Sequence, residues 1–260
     1  MKPLYINGPA ATSVSLEDPA IVVRQPGQAD RLYPIERLGR VASHINIKWQ
    51  SEALLALAVA EVPVLFYDCN GQIIARLMGV TGERSALPAR LLELLCRHDG
   101  QERYRDWCSH WERQCLLELQ KRHEWLAIPA QINLMDRNLY KRVAKILARD
   151  SLHLGLQYLR ACVHGWVTEY LHHLGIGAQT PSLIGGIIDL PTDLTRILQW
   201  QVTVHWANSL HDMPAATHVW ATEATRNRLL VEHHQKLEPL LSIKGRQLTR
   251  RLHAWVIEME

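Results

Sequence analysis

The hydrophobic pattern changes period near Leu87, and that change limits the folds open to this chain. Before it, short runs rich in β-branched and aromatic residues alternate with turn-forming residues, as in β-strands. After it, apolar residues recur at three- and four-residue spacings, as on amphipathic helices. The chain therefore reads as α+β. A small β-rich domain over residues 1–84 precedes a larger all-helical domain over 85–260. With 260 residues, each part is long enough to bury a core.

In the first part, Leu4-Tyr5-Ile6, Ala20-Ile21-Val22-Val23, Arg31-Leu32-Tyr33-Pro34-Ile35 and His44-Ile45-Asn46-Ile47 are the expected strands. Ser51 is placed to cap a helix running through Ala58, with Glu52 in its first turn, where a carboxylate suits the dipole. Pro63 opens a buried strand, Val64 to Tyr67. Asp68-Cys69-Asn70-Gly71 turns it into a second strand, Gln72 to Leu77, because Asn-Gly readily supplies positive φ. Gly79, Gly82 and Pro88 mark the expected junction. Further breaks are read at Ile128-Pro129, at 175–186 and at 210–216.

Several function classes fall away on composition. Five scattered cysteines (Cys69, Cys96, Cys108, Cys115 and Cys162) form no CxxC pair, which argues against a disulfide framework or zinc ribbon. Reduced thiols fit a cytoplasmic protein. The opening residues carry no apolar leader segment. The longest apolar run, Ala53 to Val64, is broken by Glu61 and Pro63 and is too short to span a bilayer, so no membrane partner is expected. No Gly-x-Ser-x-Gly elbow and no phosphate-cradling glycine loop are present. The net charge of +3 is too small to announce nucleic acid by itself, so its distribution must carry that case.

That distribution has one clear feature. Arg137, Lys141, Lys145 and Arg149 are spaced four apart with Arg142 alongside, while Leu139, Val143, Ile146 and Leu147 fall on another face. On a helix this makes a cationic stripe able to follow a phosphate backbone, or simply a solvated face. Lys244, Arg246, Arg250 and Arg251 form a looser cluster. Nine tryptophans stand against one phenylalanine; Trp107 and Trp111 share a helix face and Trp125 follows. Such residues stack on bases or, more commonly, hold domain and subunit contacts. The histidines of the helical half (His153, His164, His172, His173, His205 and His211) have no carboxylate three or four residues after them and read as core or surface residues.

Leu152-His153-Leu154-Gly155-Leu156-Gln157-Tyr158-Leu159-Arg160, read with Ile187-Ile188-Asp189-Leu190-Pro191-Thr192-Asp193, resembles a helix and downstream acidic motif of the CRISPR-associated spacer-acquisition integrases. Leu4-Tyr5-Ile6, Tyr33-Pro34-Ile35, the Ser51 helix, Val62-Pro63-Val64-Leu65-Phe66-Tyr67-Asp68 and Gly71 follow that family's order and spacing. Arg228-Leu229-Leu230, Lys236-Leu237-Glu238 and Ser242 to Leu252 resemble its closing helices.

The resemblance implies a DNA-binding integrase or endonuclease of antiviral defence. It also implies a homodimer formed through residues 1–84, with a small ferredoxin-like partner. The family's chemistry needs a divalent Mg or Mn ion held by a glutamate, a histidine and an aspartate. Here no histidine lies near Leu183–Ile184, no glutamate lies in Leu134–Tyr140, and Thr192 stands where a second carboxylate belongs. Asp136, Asp189 and Asp193 are the carboxylates left for a metal, and Asp189 and Asp193 equally suit the start of a helix. No residue is thereby assigned as catalytic. The leading expectation is a DNA-binding, catalytically impaired structural member, a pseudoenzyme needing no cofactor. The alternatives are an active metal-dependent nuclease with displaced ligands and a helical protein-interaction module.

Overall fold

The computed structural model describes residues 2–80, 86–129, 131–211 and 223–259. The expected junction residue Gly82 and the expected loop over 212–216 lie outside them. The chain divides into two compact units, one of residues 1–88 with 165–188 and the other of residues 89–164 with 189–260.

The first unit holds β1 (Lys2–Ile6), β2 (Ser13–Glu17), β3 (Ala20–Arg24), β4 (Arg31–Pro34), β5 (Leu38–His44), β6 (Lys48–Trp49), α1 (Ser51–Val59), β7 (Val64–Tyr67) and β8 (Ile73–Leu77). They form two four-stranded sheets, ordered β1-β5-β7-β8 and β4-β3-β2-β6. The first sheet is parallel from β1 to β7 and closes with an antiparallel β7–β8 hairpin. Parallel strands are covered on both faces and read as apolar runs, as Val64-Leu65-Phe66-Tyr67 does. Asp68 Oδ1 accepts the backbone N–H groups of Asn70 and Gln72 at 2.9 and 2.8 Å, and Gly71 takes φ +78°, so the expected turn forms. Val14, Ile21, Val41, Val64 and the α1 residues Ala53 and Leu57 share one core.

Three local expectations are corrected. The strand expected over His44–Ile47 lies earlier, at Leu38–His44; residues 45–47 turn, with Ile47 N–H bonded to the His44 carbonyl at 3.1 Å. Gln50, not Ser51, holds the N-cap position of α1. Ser51 is the first helical residue and its hydroxyl donates to Glu52 Oε2 at 3.2 Å. Pro88 lies inside the next helix, in the first turn, where its missing N–H costs nothing.

A buried arginine sits in β5. Arg40 is 2% exposed; its Nη1 donates to Glu169 Oε2 at 2.6 Å and its Nη2 to the Tyr5 hydroxyl at 3.0 Å. A guanidinium at such depth needs both partners. Glu169 belongs to residues 165–188, which cluster with the strands.

The helices are α2 (Leu87–Leu95), α3 (Gly100–Gln120), α4 (Met135–Val143), α5 (Arg149–His173), α6 (Leu190–His211) and α7 (Glu223–Glu258). In the second unit, Gly155 of α5 lets Trp206 of α6 approach: a Cβ there would lie 2.5 Å from the indole Cη2. Among the described residues no helix is long and apolar enough to cross a membrane.

Candidate nucleic-acid interface

The cationic stripe does not ride on one helix. Arg137 and Lys141 stand on α4, which ends at Val143. Lys145 lies in the turn that follows, and Arg149 opens α5. No glycine or proline announces the break. It follows from burial, since Leu139, Val143 and Leu147 are all buried while the turn folds the chain back. The turn replaces a drifting stripe with a concavity. Arg137, Lys141 and Arg149 line a space of about 710 Å³ together with Tyr140, Leu152 and His153. Asp136 and Asp150 also line it. All three cations are exposed, and Tyr140 and Leu152 give the space an apolar floor. Guanidinium and ammonium groups converging on an open concavity suit phosphate oxygens, which position a nucleic acid without reading its sequence.

The remaining members of the basic set go elsewhere. Lys145 is exposed in the turn. Arg142 packs inward instead, with its guanidinium carbon 5.2 Å from the ring centroid of Trp125 in the turn after α3 and its Nη2 donating to Asn208 Oδ1 of α6 at 3.3 Å.

The three carboxylates considered for a metal lie apart in their surroundings, and two of them are engaged in other hydrogen bonds. Asp189 caps α6: its Oδ1 accepts the Thr192 N–H at 3.3 Å, and its carbonyl accepts the Asp193 N–H at 2.9 Å. Asp193 accepts the Tyr104 hydroxyl at 3.1 Å. Burial raises its carboxyl above the usual range, with Arg196 opposing and Asp189 adding to the rise. Asp136 lines the basic concavity; desolvation raises its carboxyl, and the charges of His153 and Arg160 oppose. A hard divalent cation needs several oxygen ligands converging on one point. Among the described residues no three His, Cys, Asp or Glu side chains group to hold a metal ion. The histidines are dispersed too. His164 Nδ1 lies 3.4 Å from the Thr195 hydroxyl, while His205 meets His123 edge to face at 5.2 Å with its pKa lowered by burial.

One ionic cluster escaped the sequence reading. Glu112 of α3 is buried, accepts Trp200 Nε1–H at 3.0 Å and pairs with Arg196 at 3.2 Å. Burial raises its pKa, while the Trp200 hydrogen bond, Arg196 and Arg160 act against the rise. The signal was present: Tyr104, Cys108, Glu112 and Leu116 recur every fourth residue, and all four are buried. A lone carboxylate on such a face needs an internal partner. The partner, 84 positions on in α6, is not readable from spacing.

The model of the family described as CRISPR associated protein Cas1 matches residues 4–107. Among curated protein sequences none matches. Among solved structures, a Cas1 protein from Thermotoga maritima has the same fold with a TM-score of 0.69 at 9% identity, covering 96% of this chain and 97% of that one. A casposase bound to integration product gives 0.66 at 12% identity over 98% and 91% of the two chains. A complex of the Cas1 protein TtCas1 with DNA gives 0.62 at 15% identity over 96% and 91%. At these identities the structures establish the fold alone. The family match thus covers the strand-rich part and the start of the helices, and the fold of a Cas1 protein is shared over nearly the whole length.

Proposed function

We propose that this chain binds DNA as a subunit of a spacer-acquisition assembly and that its own strand-transfer centre is impaired. The observation that carries the DNA reading is the concavity into which Arg137, Lys141 and Arg149 converge. Two of the structures sharing the fold hold DNA or an integration product, which supports the same reading. The impairment rests on the ligand set. Strand transfer needs a cation to activate a hydroxyl and to stabilise charge developing on phosphorus. Asp189 and Asp193 are engaged in a helix cap and a hydrogen bond to Tyr104, and among the described residues no glutamate or histidine groups with them or with Asp136. The role left is to hold DNA in the cytoplasm beside an active subunit, as a homodimer and with a small ferredoxin-like protein. A Cas6-RT-Cas1–Cas2 complex is among the structures sharing the fold.

The experiment has two arms. Replacing Arg137, Lys141 and Arg149 by Ala should weaken duplex binding about ten- to hundredfold, alike for unrelated sequences. The same variant should flatten the log–log salt slope by about 2 to 3, since fewer counterions are released. An unchanged slope would leave the concavity as ordinary surface. In the second arm, the parent and an Asp189→Ala, Asp193→Ala variant are assayed with Mg²⁺ or Mn²⁺ on duplex, branched and repeat-containing DNA. Silence from both is expected. Activity in the parent that vanishes in the variant would establish an active nuclease with displaced ligands.

A further inference from the structure

Three histidines lie together inside the second unit with no acid beside them. His123 stands in the turn after α3, His205 on α6 and His233 on α7. The His123 and His205 rings meet edge to face, 5.2 Å between centroids and 87° between planes. The Nε2 atoms of both are buried and, among the described residues, have no hydrogen-bond partner. His233 Nε2 donates to the Val202 carbonyl of α6 at 3.3 Å. The charged neighbours come from every element around the rings, and all are cations. Arg122 acts on His123 and His205, Arg142 of α4 on His123, and Lys236 of α7 on His233. Among the described residues no carboxylate acts on any of the three. Burial first, and then the neighbouring rings and cations, hold all three pKa values below the ordinary histidine value; the Val202 bond opposes this at His233.

An imidazolium carries two N–H donors and needs an acceptor for each. The closed arrangement offers Nε2 of His123 and of His205 none, and it sets the charge of one ring against the other. A proton is therefore accommodated only when a ring moves into water. The element able to move is the turn of residues 121–127, because its ties are few. Leu126 is fully buried, Trp125 lies beneath the Arg142 guanidinium, and the Ala127 carbonyl accepts Asn138 Nδ2–H. Trp125 Nε1 is buried without a partner among the described residues, so leaving costs it no hydrogen bond. Arg142 and Asn138 both belong to α4, so the same turn seats that helix.

We infer that His123 and His205, with His233 behind them, form an acid-released latch: the neutral rings hold the turn of residues 121–127 on α6, and their protonation lets it go. The sign follows from linkage. Rings in the open turn take up protons near the ordinary pKa of about 6.5, whereas the closed rings resist them. The closed form is thus favoured above that pH and loses ground as pH falls below it. The latch goes beyond the DNA-binding reading and does not rest on it. It is a local opening of one turn, not a loss of the helical core.

The test is hydrogen exchange on the full chain, read by mass spectrometry at about pH 7.5 and about pH 5.5 and corrected for the intrinsic pH dependence of exchange. The backbone N–H groups of His123 and Leu126, bonded to the Leu119 and His123 carbonyls, report on the turn. With two rings taking up protons on opening, their corrected exchange should rise about ten- to hundredfold in acid, while the interior of α6 stays protected. A His123→Gln, His205→Gln variant cannot titrate there and should lose this rise. Arg122→Glu, at an exposed position, supplies the missing countercharge and should shrink the rise at least about threefold. Equal corrected rates for the parent at both pH values would overturn the inference. So would a rise spread evenly over all helices of the second unit, or one that persists in the Gln variant. If the Gln variant does not fold, Arg122→Glu decides: an undiminished acid response overturns the latch, and a diminished one supports it.

Discussion

Glu112 shows how a single buried acid ties its stability contribution to pH. Its pKa is raised chiefly by desolvation, with Asp193 adding to the rise and Trp200, Arg196 and Arg160 opposing it. The folded state then holds the proton more tightly than the unfolded chain does. This contribution is fully present below the unfolded pKa and is lost as pH rises through the folded value. Glu112→Gln keeps an acceptor for the Trp200 N–H and removes the titration. Urea midpoints measured between about pH 4 and pH 7 should therefore fall less steeply with pH for this variant than for the parent. Parallel slopes would sink the assignment. Arg196→Met leaves the acid without its countercharge and should cost about 2 kcal/mol at neutral pH, less than a fully buried pair because Arg196 is partly exposed, and less again in acid.

Helix α5 carries two glycines whose surroundings predict opposite outcomes. At Gly155 a Cβ would strike Trp206, which is itself buried and cannot yield. Gly155→Ala should cost about 1–3 kcal/mol despite its better helix propensity. At Gly165 the nearest atoms would be Arg40 Cδ and Nε, both at 3.6 Å, an ordinary contact. Gly165→Ala should be neutral or stabilising by up to about 1 kcal/mol. Denaturant titration of both variants checks the pair, and equal effects would contradict the packing described. The same scale explains what the sequence disclosed. The β7–β8 hairpin was legible because an apolar strand meets an Asp-x-Asn-Gly turn that satisfies itself locally. Strand β2 was missed because Ser13, Ser15 and Glu17 alternate with only two apolar residues. Most of β5 was missed because Gly39 and Arg40 disguise a buried strand, and the charge that permits Arg40 lies 129 residues away. The basic residues were legible as a set. Their arrangement was not, since a spacing of four implies one helix only if nothing interrupts it.

For the whole molecule, the strand-rich unit leaves apolar surface uncovered. Leu55 and Val59, one turn apart on α1, are 64% and 86% exposed, and Ile74 on the edge strand β8 is 54% exposed. Exposed apolar side chains and an open sheet edge are costly to leave in water, and a two-fold partner removes both. The expected outcome is a dimer by light scattering at roughly tens of micromolar, an ordinary range for a stable pair. Leu55→Glu with Val59→Glu should shift it to monomer. A monomeric parent would end this reading, and a dimer indifferent to both substitutions would move the contact elsewhere in the chain.

The placement of Glu169 has a consequence for how this protein can be divided. The strands end before residue 80, and a cut there looks like a natural seam. Yet the guanidinium of Arg40 is neutralised by a carboxylate from a stretch that arrives only after the first half of α5 has been made. A fragment of residues 1–88 would lose both that carboxylate and the α5 segment lying against Arg40, a deficit of about 3 kcal/mol in a unit that small. Circular dichroism of that fragment should show it unfolding well below the full chain, with Arg40→Met recovering part of the loss. On a ribosome the strands would wait for residues 165–188 before their fold is complete. A fragment that unfolds in this way would mean that the β-rich part cannot be moved, lost or borrowed as one stretch of sequence.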